Sequence, residues 1–199
     1  MNPNHPLWTS DRERFLWTAT LLVLFAIFST LWLATSLTHI FHGFGGVVFF
    51  LTGMILVLAS VITQGLKARP RGIEIGAALG VVAAYLLVYV RMAIPTERSH
   101  LIEYSVVAAL IHAALWERKE NGYPPSYPAW TALLTTVGIG CVDEAAQRFI
   151  PQRVFDWEDI IFNSLAAAMS VTAGSTLSWV RNLQTGSTKR FSARSRSET

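Results

Sequence analysis

The chain has 199 residues, of which 52% are hydrophobic and 15% are charged, and its formal net charge is +3 at pH 7. This composition, with repeated apolar runs of about 20 residues, favours a helical membrane protein over a water-soluble domain. The single cysteine, Cys141, excludes an intrachain disulfide, and the basic residues follow membrane topology, so no nucleic-acid partner is expected.

Six apolar stretches predict membrane-spanning helices, because about 20 mostly apolar helical residues are needed to cross the hydrocarbon core. The fifth stretch reaches spanning length only if its helix begins at Pro128 and continues into Asp143. Small residues in the sixth indicate a face that packs on other helices. The stretches are Phe15 to Ala34, Phe44 to Ile62, Ile73 to Val90, Leu101 to Trp116, Trp130 to Val142 and Asn163 to Val180.

The Lys and Arg residues indicate the orientation of this predicted all-α bundle, since short cytoplasmic loops are enriched in both. With six spans, most of the 16 basic residues fall on the side that holds both termini, so both termini are expected in the cytoplasm. The first apolar run is longer than a signal-peptide core, so no cleavage is expected. The predicted regions are a cytoplasmic N-terminus (1–14), three helices (15–90), three further helices (91–180) and a disordered basic cytoplasmic tail (181–199).

The segment ERSHLIEY, residues 97–104, carries polar side chains into the start of the fourth predicted span, on the outer side. His100 and Glu103 are three residues apart and share one helical face. Because a carboxylate is costly inside a membrane unless it is protonated, paired or beside water, Glu103 should point into the bundle. The alternative is that Glu97 and His100 only cap the helix at the interface.

A second polar segment, DEAAQRFIPQR at residues 143–153, follows the fifth predicted span. Asp143 and Glu144 lie four and three residues before Gln147, so a continuing helix would present two acids and an amide together. The alternative is a helix end that is exposed to solvent.

The segment VFDWEDIIFN, residues 154–163, leads into the last predicted span. Asp156 is a good N-cap, and Asp159 follows it by three residues, as in a capping box. Capping does not account for Asp159 and Asn163, which are four residues apart on one helical face. An amide inside a span needs a partner. The candidate partners are Arg153, Glu103 and His100.

These segments resemble the VanZ-like family of bacterial membrane proteins, whose pattern runs approximately R-x-H-x-x-E-Y and then D-E-x-x-Q-x-F-x-P-x-R-x-x-D-x-x-D-x-x-x-N-x-x-G. The resemblance covers about residues 91–175, and Ala166 replaces the final glycine. It implies a multi-pass protein of the bacterial cytoplasmic (inner) membrane, in a family named for a member associated with low-level teicoplanin resistance, and it supplies no settled reaction. The matching residues are Arg98, His100, Glu103, Tyr104, Asp143, Glu144, Gln147, Phe149, Pro151, Arg153, Asp156, Asp159 and Asn163.

Three functions stay open for this outward-facing group. The first is recognition of a lipid head group, a cell-envelope precursor or an amphiphilic antibiotic. In this case the Arg153 guanidinium would donate two parallel hydrogen bonds to a phosphate or carboxylate. The second is a structural role in a larger membrane complex, in which the charges fix the helices and the partner is another membrane protein. The third is an intramembrane hydrolase or transferase that acts on a lipid-linked substrate, with carboxylates and a histidine as acid and base.

The histidines do not define a metal site in the sequence, and no metal ion or cofactor is expected. Metal-assisted catalysis is a smaller alternative, because the oxygen and imidazole groups of His39, His42, His100, Glu103 and Asp159 could all lie on the outer face and suit a divalent ion. However, His39 and His42 lie outside the resembling region, and two histidines in a short interfacial loop are more often polar caps. His112 is expected to contact another helix, because it lies on nearly the opposite helical face from Glu103. No catalytic residue can be assigned. The predicted binding group is Arg98, His100, Glu103, Tyr104, Asp143, Glu144, Gln147, Arg153, Asp156, Asp159 and Asn163.

Overall fold

The computed structural model describes residues 7–37, 72–91, 95–150 and 155–197, and the side chains of 7–29, 72–91, 100–150 and 155–180 apart from Glu74 and Tyr89. These residues form helices and no strand, which confirms the all-α prediction. The second predicted span, Phe44 to Ile62, lies outside the described residues. The helices are α1 (Asp11–Leu37), α2 (Gly72–Arg91), α3 (Pro95–Glu120), α4 (Pro128–Gln147) and α5 (Trp157–Ser197).

Local sequence signals explain where the helices begin and end. Ser10 caps α1, because its Oγ accepts a hydrogen bond from the backbone N–H of Glu13 at 3.0 Å. α3 ends at Glu120, and Gly122 follows with a positive φ of 83°, so that the N–H groups of Gly122 and Tyr123 bond back to the carbonyl oxygens of Lys119 and Arg118. α4 begins at Pro128 and continues through Asp143, as the sequence predicts.

α3 lies at the centre of the described bundle. It packs against α1, α4 and α5, whereas α2 packs against α5. The apolar face of α3, with Val107, Ile111 and Leu115, forms a core with Ala132 of α4 and Val171 of α5. Burial of these side chains, together with Ile27 of α1, holds α1, α4 and α5 around α3. The packing therefore determines which helix ends lie next to each other.

Small residues let α3 and α5 approach each other closely. Ala166 is fully buried, and Ser170 Oγ donates a hydrogen bond to the carbonyl oxygen of Ser105 at 2.7 Å. Gly174 leaves room for His112, since a Cβ atom at this glycine would lie 2.9 Å from the imidazole Nδ1. The small-residue face predicted for the last span, and the helix-contact position predicted for His112, are both observed.

A network of polar side chains joins the start of α1 to the end of α3. Glu13 is fully buried, and its carboxylate accepts hydrogen bonds from the N–H and Oγ of Thr9, each at 2.6 Å, and from Arg118 at 2.8 Å. Ser10 Oγ donates to Glu117 at 2.9 Å. We call Thr9, Ser10, Glu13, Glu117 and Arg118 the terminal clamp.

The outer surface of the described helices carries large apolar side chains. Leu22 and Phe25 of α1 and Leu79 and Leu86 of α2 are exposed. Within the described residues, one segment, Trp157–Val180, is long and apolar enough to cross a membrane, with a mean hydropathy of 1.4. A shorter apolar helical segment covers Ile75–Val88.

The C-terminal region differs from the sequence-based expectation. α5 continues to Ser197, so residues 181–197, which are expected to be a disordered tail, are helical. Extending an existing helix adds one backbone hydrogen bond for each residue that is fixed, and no proline follows Pro151 to interrupt it.

Candidate functional site

Polar side chains converge where the first turns of α3 and α5 meet the last turns of α4. All of them are at most 6% exposed except that of Asp159, which is half-buried. Buried polar groups are normally hydrogen-bonded, so each of them requires an explanation. We call the following group the polar cluster: His100, Tyr104, Asp143, Glu144, Gln147, Asp159 and Asn163.

The last turns of α4 supply three members of the polar cluster. Gln147 Nε2 donates a hydrogen bond to Glu144 Oε1 at 2.8 Å, so the acid and amide do lie together. The phenol of Tyr104 on α3 donates to Asp143 Oδ2 at 2.8 Å. Because these side chains are buried, the alternative of a solvent-exposed helix end does not hold.

The first turn of α5 divides its acidic residues between two roles. Asp156 is exposed and caps the helix, since its Oδ1 accepts the backbone N–H of Glu158 at 2.8 Å. Asp159 instead faces α3, where its Oδ2 lies 3.7 Å from His100 Nε2. Helix capping therefore explains Asp156, whereas Asp159 belongs to the polar cluster.

Asn163 lies one turn further along α5 and is 1% exposed. A Cβ atom on Gly140 of α4 would lie 3.1 Å from Asn163 Cβ and 3.4 Å from Tyr104 Cε1, so this glycine makes room for both side chains. No sequence pattern marks Gly140 beyond its place in a helix. The expected hydrogen bond from the Asn163 amide to Glu103 or His100 is not observed, since neither polar atom of Asn163 has a partner within the described residues. Arg153, the third expected partner, lies outside those residues, so its bond to Asn163 stays a prediction.

The other predicted members of the binding group are placed as follows. Glu103 is half-buried, so the structure does not bury it as deeply as His100 or Tyr104. The backbone of Arg98 belongs to the first turn of α3, but its side chain lies outside the description, as does the whole of Arg153. His39 and His42 also lie outside the described residues.

Several atoms of the polar cluster have unused hydrogen-bonding capacity. In the described part of the chain no partner reaches His100 Nδ1, Glu144 Oε2, or the Oδ1 and Nδ2 atoms of Asn163. In addition, His100, Glu144 and Asp159 each offer a ligand atom, and these atoms all lie within 4.8 Å of one another. The arrangement can therefore accept further hydrogen bonds or hold a cation.

Apolar helices with a polar cluster buried at one end of the bundle are typical of helical integral membrane proteins. The model of the VanZ/LLP1 family matches residues 3–178, and the chain belongs to this family. The match extends the resemblance, noted from about residue 91, to the N-terminal helices, in which no motif was recognised. No curated protein and no solved structure matches the chain.

Proposed function

We propose that this VanZ/LLP1 protein crosses the bacterial cytoplasmic membrane six times and binds the polar head of an amphiphile in an outward-facing polar cluster. The amphiphile is a lipid, a lipid-linked cell-envelope precursor or an amphiphilic antibiotic such as a glycopeptide. Its polar head enters the cluster between α3, α4 and α5, and its apolar part lies against the exposed hydrophobic side chains of the helices. Both termini lie in the cytoplasm.

The unused hydrogen-bonding capacity of the polar cluster carries this proposal. An unpartnered buried polar group costs about 1–3 kcal/mol of folding free energy. Asn163 has two such atoms, and His100 and Glu144 have one each within the described structure. A cluster that only held helices together would be more stable with partners or with apolar side chains at these positions. A head group with hydroxyl, amine or phosphate groups would supply the missing bonds.

A structural role is the second candidate, and the hydrogen bond between Tyr104 and Asp143 favours it. This bond ties α3 to α4 at full burial. In that case the polar cluster would fix the helices for contact with another membrane protein. The two candidates differ in what should follow when one acid of the cluster is made neutral without a change in its shape.

The test compares Glu144→Gln with Glu158→Gln in the full chain, purified in mild detergent. Glu144 is fully buried in the polar cluster, whereas Glu158 is exposed on α5 beside it, so the chemical change is the same inside and outside the cluster. Gln at position 144 keeps an oxygen that can accept the bond from Gln147. Native mass spectrometry reports bound amphiphiles, and their masses distinguish a phospholipid, an envelope precursor and added teicoplanin.

We expect wild type and Glu158→Gln to retain the amphiphile and Glu144→Gln to lose at least tenfold in occupancy. Equal occupancy in all three proteins would contradict the proposal. The same variants are then expressed in a deletion strain, with membrane levels checked by immunoblot, and growth and teicoplanin susceptibility are compared. Full complementation by Glu144→Gln would favour the structural role.

A further inference from the structure

Three helices each bring one potential metal ligand to the same point of the polar cluster. His100 comes from α3, Glu144 from α4 and Asp159 from α5, and their ligand atoms lie within 4.8 Å of one another. His100 and Glu144 are nearly completely buried. The residues are far apart in sequence and show no metal-binding spacing, which is why the sequence offers His100 and Asp159 as possible ligands but does not add Glu144.

The distances between these atoms fit a shared ion better than direct contacts. His100 Nε2 and Asp159 Oδ2 are 3.7 Å apart, beyond the range of a good hydrogen bond. Two ligands held about 2.1 Å from one tetrahedral ion are separated by about 3.4 Å. All separations in the group lie within 4.8 Å, so the side chains would have to draw together by at most about 1.4 Å to share one ion.

The unpartnered atoms give a second, independent indication. Glu144 Oε2 is fully buried and has no hydrogen bond of good geometry among the described residues. Glu144 and Asp159 bring two carboxylates to one imidazole, and like charges in a poorly solvated place repel each other unless a proton or a metal cation neutralises one of them. Asn163 adds a partnerless amide oxygen one turn from Asp159 on the same helical face.

We infer that the polar cluster binds one divalent transition-metal ion, of the Zn²⁺ or Mn²⁺ class, through His100, Glu144 and Asp159. An imidazole with two carboxylates suits these ions better than Mg²⁺ or Ca²⁺, which favour oxygen ligands alone. Three protein ligands leave a coordination position open. This ion site deepens the proposed function. An anionic oxygen of the amphiphile's head group would fill the open coordination position, and this part of the inference rests on the proposed function.

The experiment measures metal retained by the full chain in detergent. The protein is stripped with EDTA, incubated with Zn²⁺ or with Mn²⁺, desalted, and analysed by inductively coupled plasma mass spectrometry. Asp159→Asn and Glu144→Gln remove ligands from two different helices with no change in side-chain shape. Glu158→Gln is the matched control, because Glu158 precedes Asp159 and is exposed. The thermal midpoint of each metal-free protein checks the fold.

We expect about one ion for each wild-type or Glu158→Gln chain, and at least tenfold less in Asp159→Asn and Glu144→Gln. Added ion should raise the thermal midpoint of wild type and of Glu158→Gln, and should leave the thermal midpoints of Asp159→Asn and Glu144→Gln unchanged. No retention by wild type, or equal retention by Asp159→Asn and Glu144→Gln, would overturn the ion site. An EDTA-stripped wild type that still binds the amphiphile at full occupancy would overturn the placement of the head group on the ion, while leaving the proposed function intact. Ion retention with no amphiphile bound would instead support the ion site and contradict the proposed function.

Discussion

Asn163 tests at a single residue whether the polar cluster is built for a ligand. Leu has nearly the shape of Asn but no polar atoms, and the room made by Gly140 can hold either side chain. An unpartnered buried amide destabilises a fold by about 1–3 kcal/mol. We therefore expect Asn163→Leu to raise the free energy of unfolding by about 1 kcal/mol and to abolish amphiphile retention, as measured by thermal unfolding and native mass spectrometry.

The control for this prediction is Asn163→Ala, which also removes the amide but leaves a void. It should bind no amphiphile and should be less stable than Asn163→Leu, because the lost packing is not replaced. If Asn163→Leu were clearly less stable than wild type, the amide would have a bonded structural role, and the argument from its unpartnered atoms would fail.

The contacts of individual residues divide into those that sequence spacing predicts and those that it does not. The bond between Gln147 and Glu144 follows from their three-residue spacing on a helix. The approach of Asp159 to His100 joins residues from different helices, and only the packing of α3 against α5 brings it about. The role of Gly140 cannot be predicted from its own spacing, because it consists in leaving room for Asn163 and Tyr104 of the neighbouring helices.

At the scale of the helices, the terminal clamp is the contact that sequence reasoning missed. Ser10 and Glu13 have the spacing of a capping box, which is a visible signal for the start of α1. In the structure Ser10 does cap the helix, but the Glu13 carboxylate turns to Arg118 of α3. The sequence contains both ends of this contact and gives no indication that they meet, because the pairing depends on how α1 lies along α3.

Glu13→Gln should loosen the attachment of α1 to α3. Removing one partner of a buried ion pair costs about 3–5 kcal/mol, and we expect about 3 kcal/mol because Arg118 keeps part of its water contact. The matched control is Arg14→Gln, which breaks only an exposed pair with Asp11 and should cost roughly 0–1 kcal/mol. Thermal unfolding in detergent at pH 7 measures both, and equal effects would contradict a clamp role for Glu13.

The same residue gives a pH dependence with a definite sign. Burial raises the pKa of Glu13, but the hydrogen bonds from Thr9 and Arg118 outweigh this effect and leave the pKa below its ordinary value. A carboxyl group with a lowered folded-state pKa stabilises the fold above its unfolded pKa of about 4.3, and this stability is lost as the pH falls further. The stability difference between wild type and Glu13→Gln should therefore shrink below about pH 4.3. A difference that stays constant down to pH 3 would contradict the assignment.

At the scale of the whole molecule, two polar groups lie at opposite ends of α3. His100 of the polar cluster and Arg118 of the terminal clamp are 18 residues apart in one helix, which corresponds to about 27 Å. The residues between them form the apolar core, and the hydrocarbon layer of a membrane is about 30 Å thick. Hydropathy and helix periodicity predicted the four helices that the structure describes from residue 72 onward, because both depend on local composition. The ends of α3, α4 and α5 meet because the helices pack together, and this packing cannot be predicted from local composition.

This separation predicts that the two groups lie on opposite sides of the membrane, which single cysteines can test. Cys141→Ser removes the chain's one thiol. In that background Glu158→Cys places a thiol beside the polar cluster, and Ser126→Cys places one in the loop after α3. Both positions are exposed.

The excess of Lys and Arg predicts that the Ser126 loop is cytoplasmic, so a membrane-impermeant maleimide should label Glu158→Cys in intact cells and Ser126→Cys only after lysis. Labelling of Ser126→Cys alone would invert the topology and turn the polar cluster toward the cytoplasm. Labelling of both in intact cells would contradict a membrane-spanning α3.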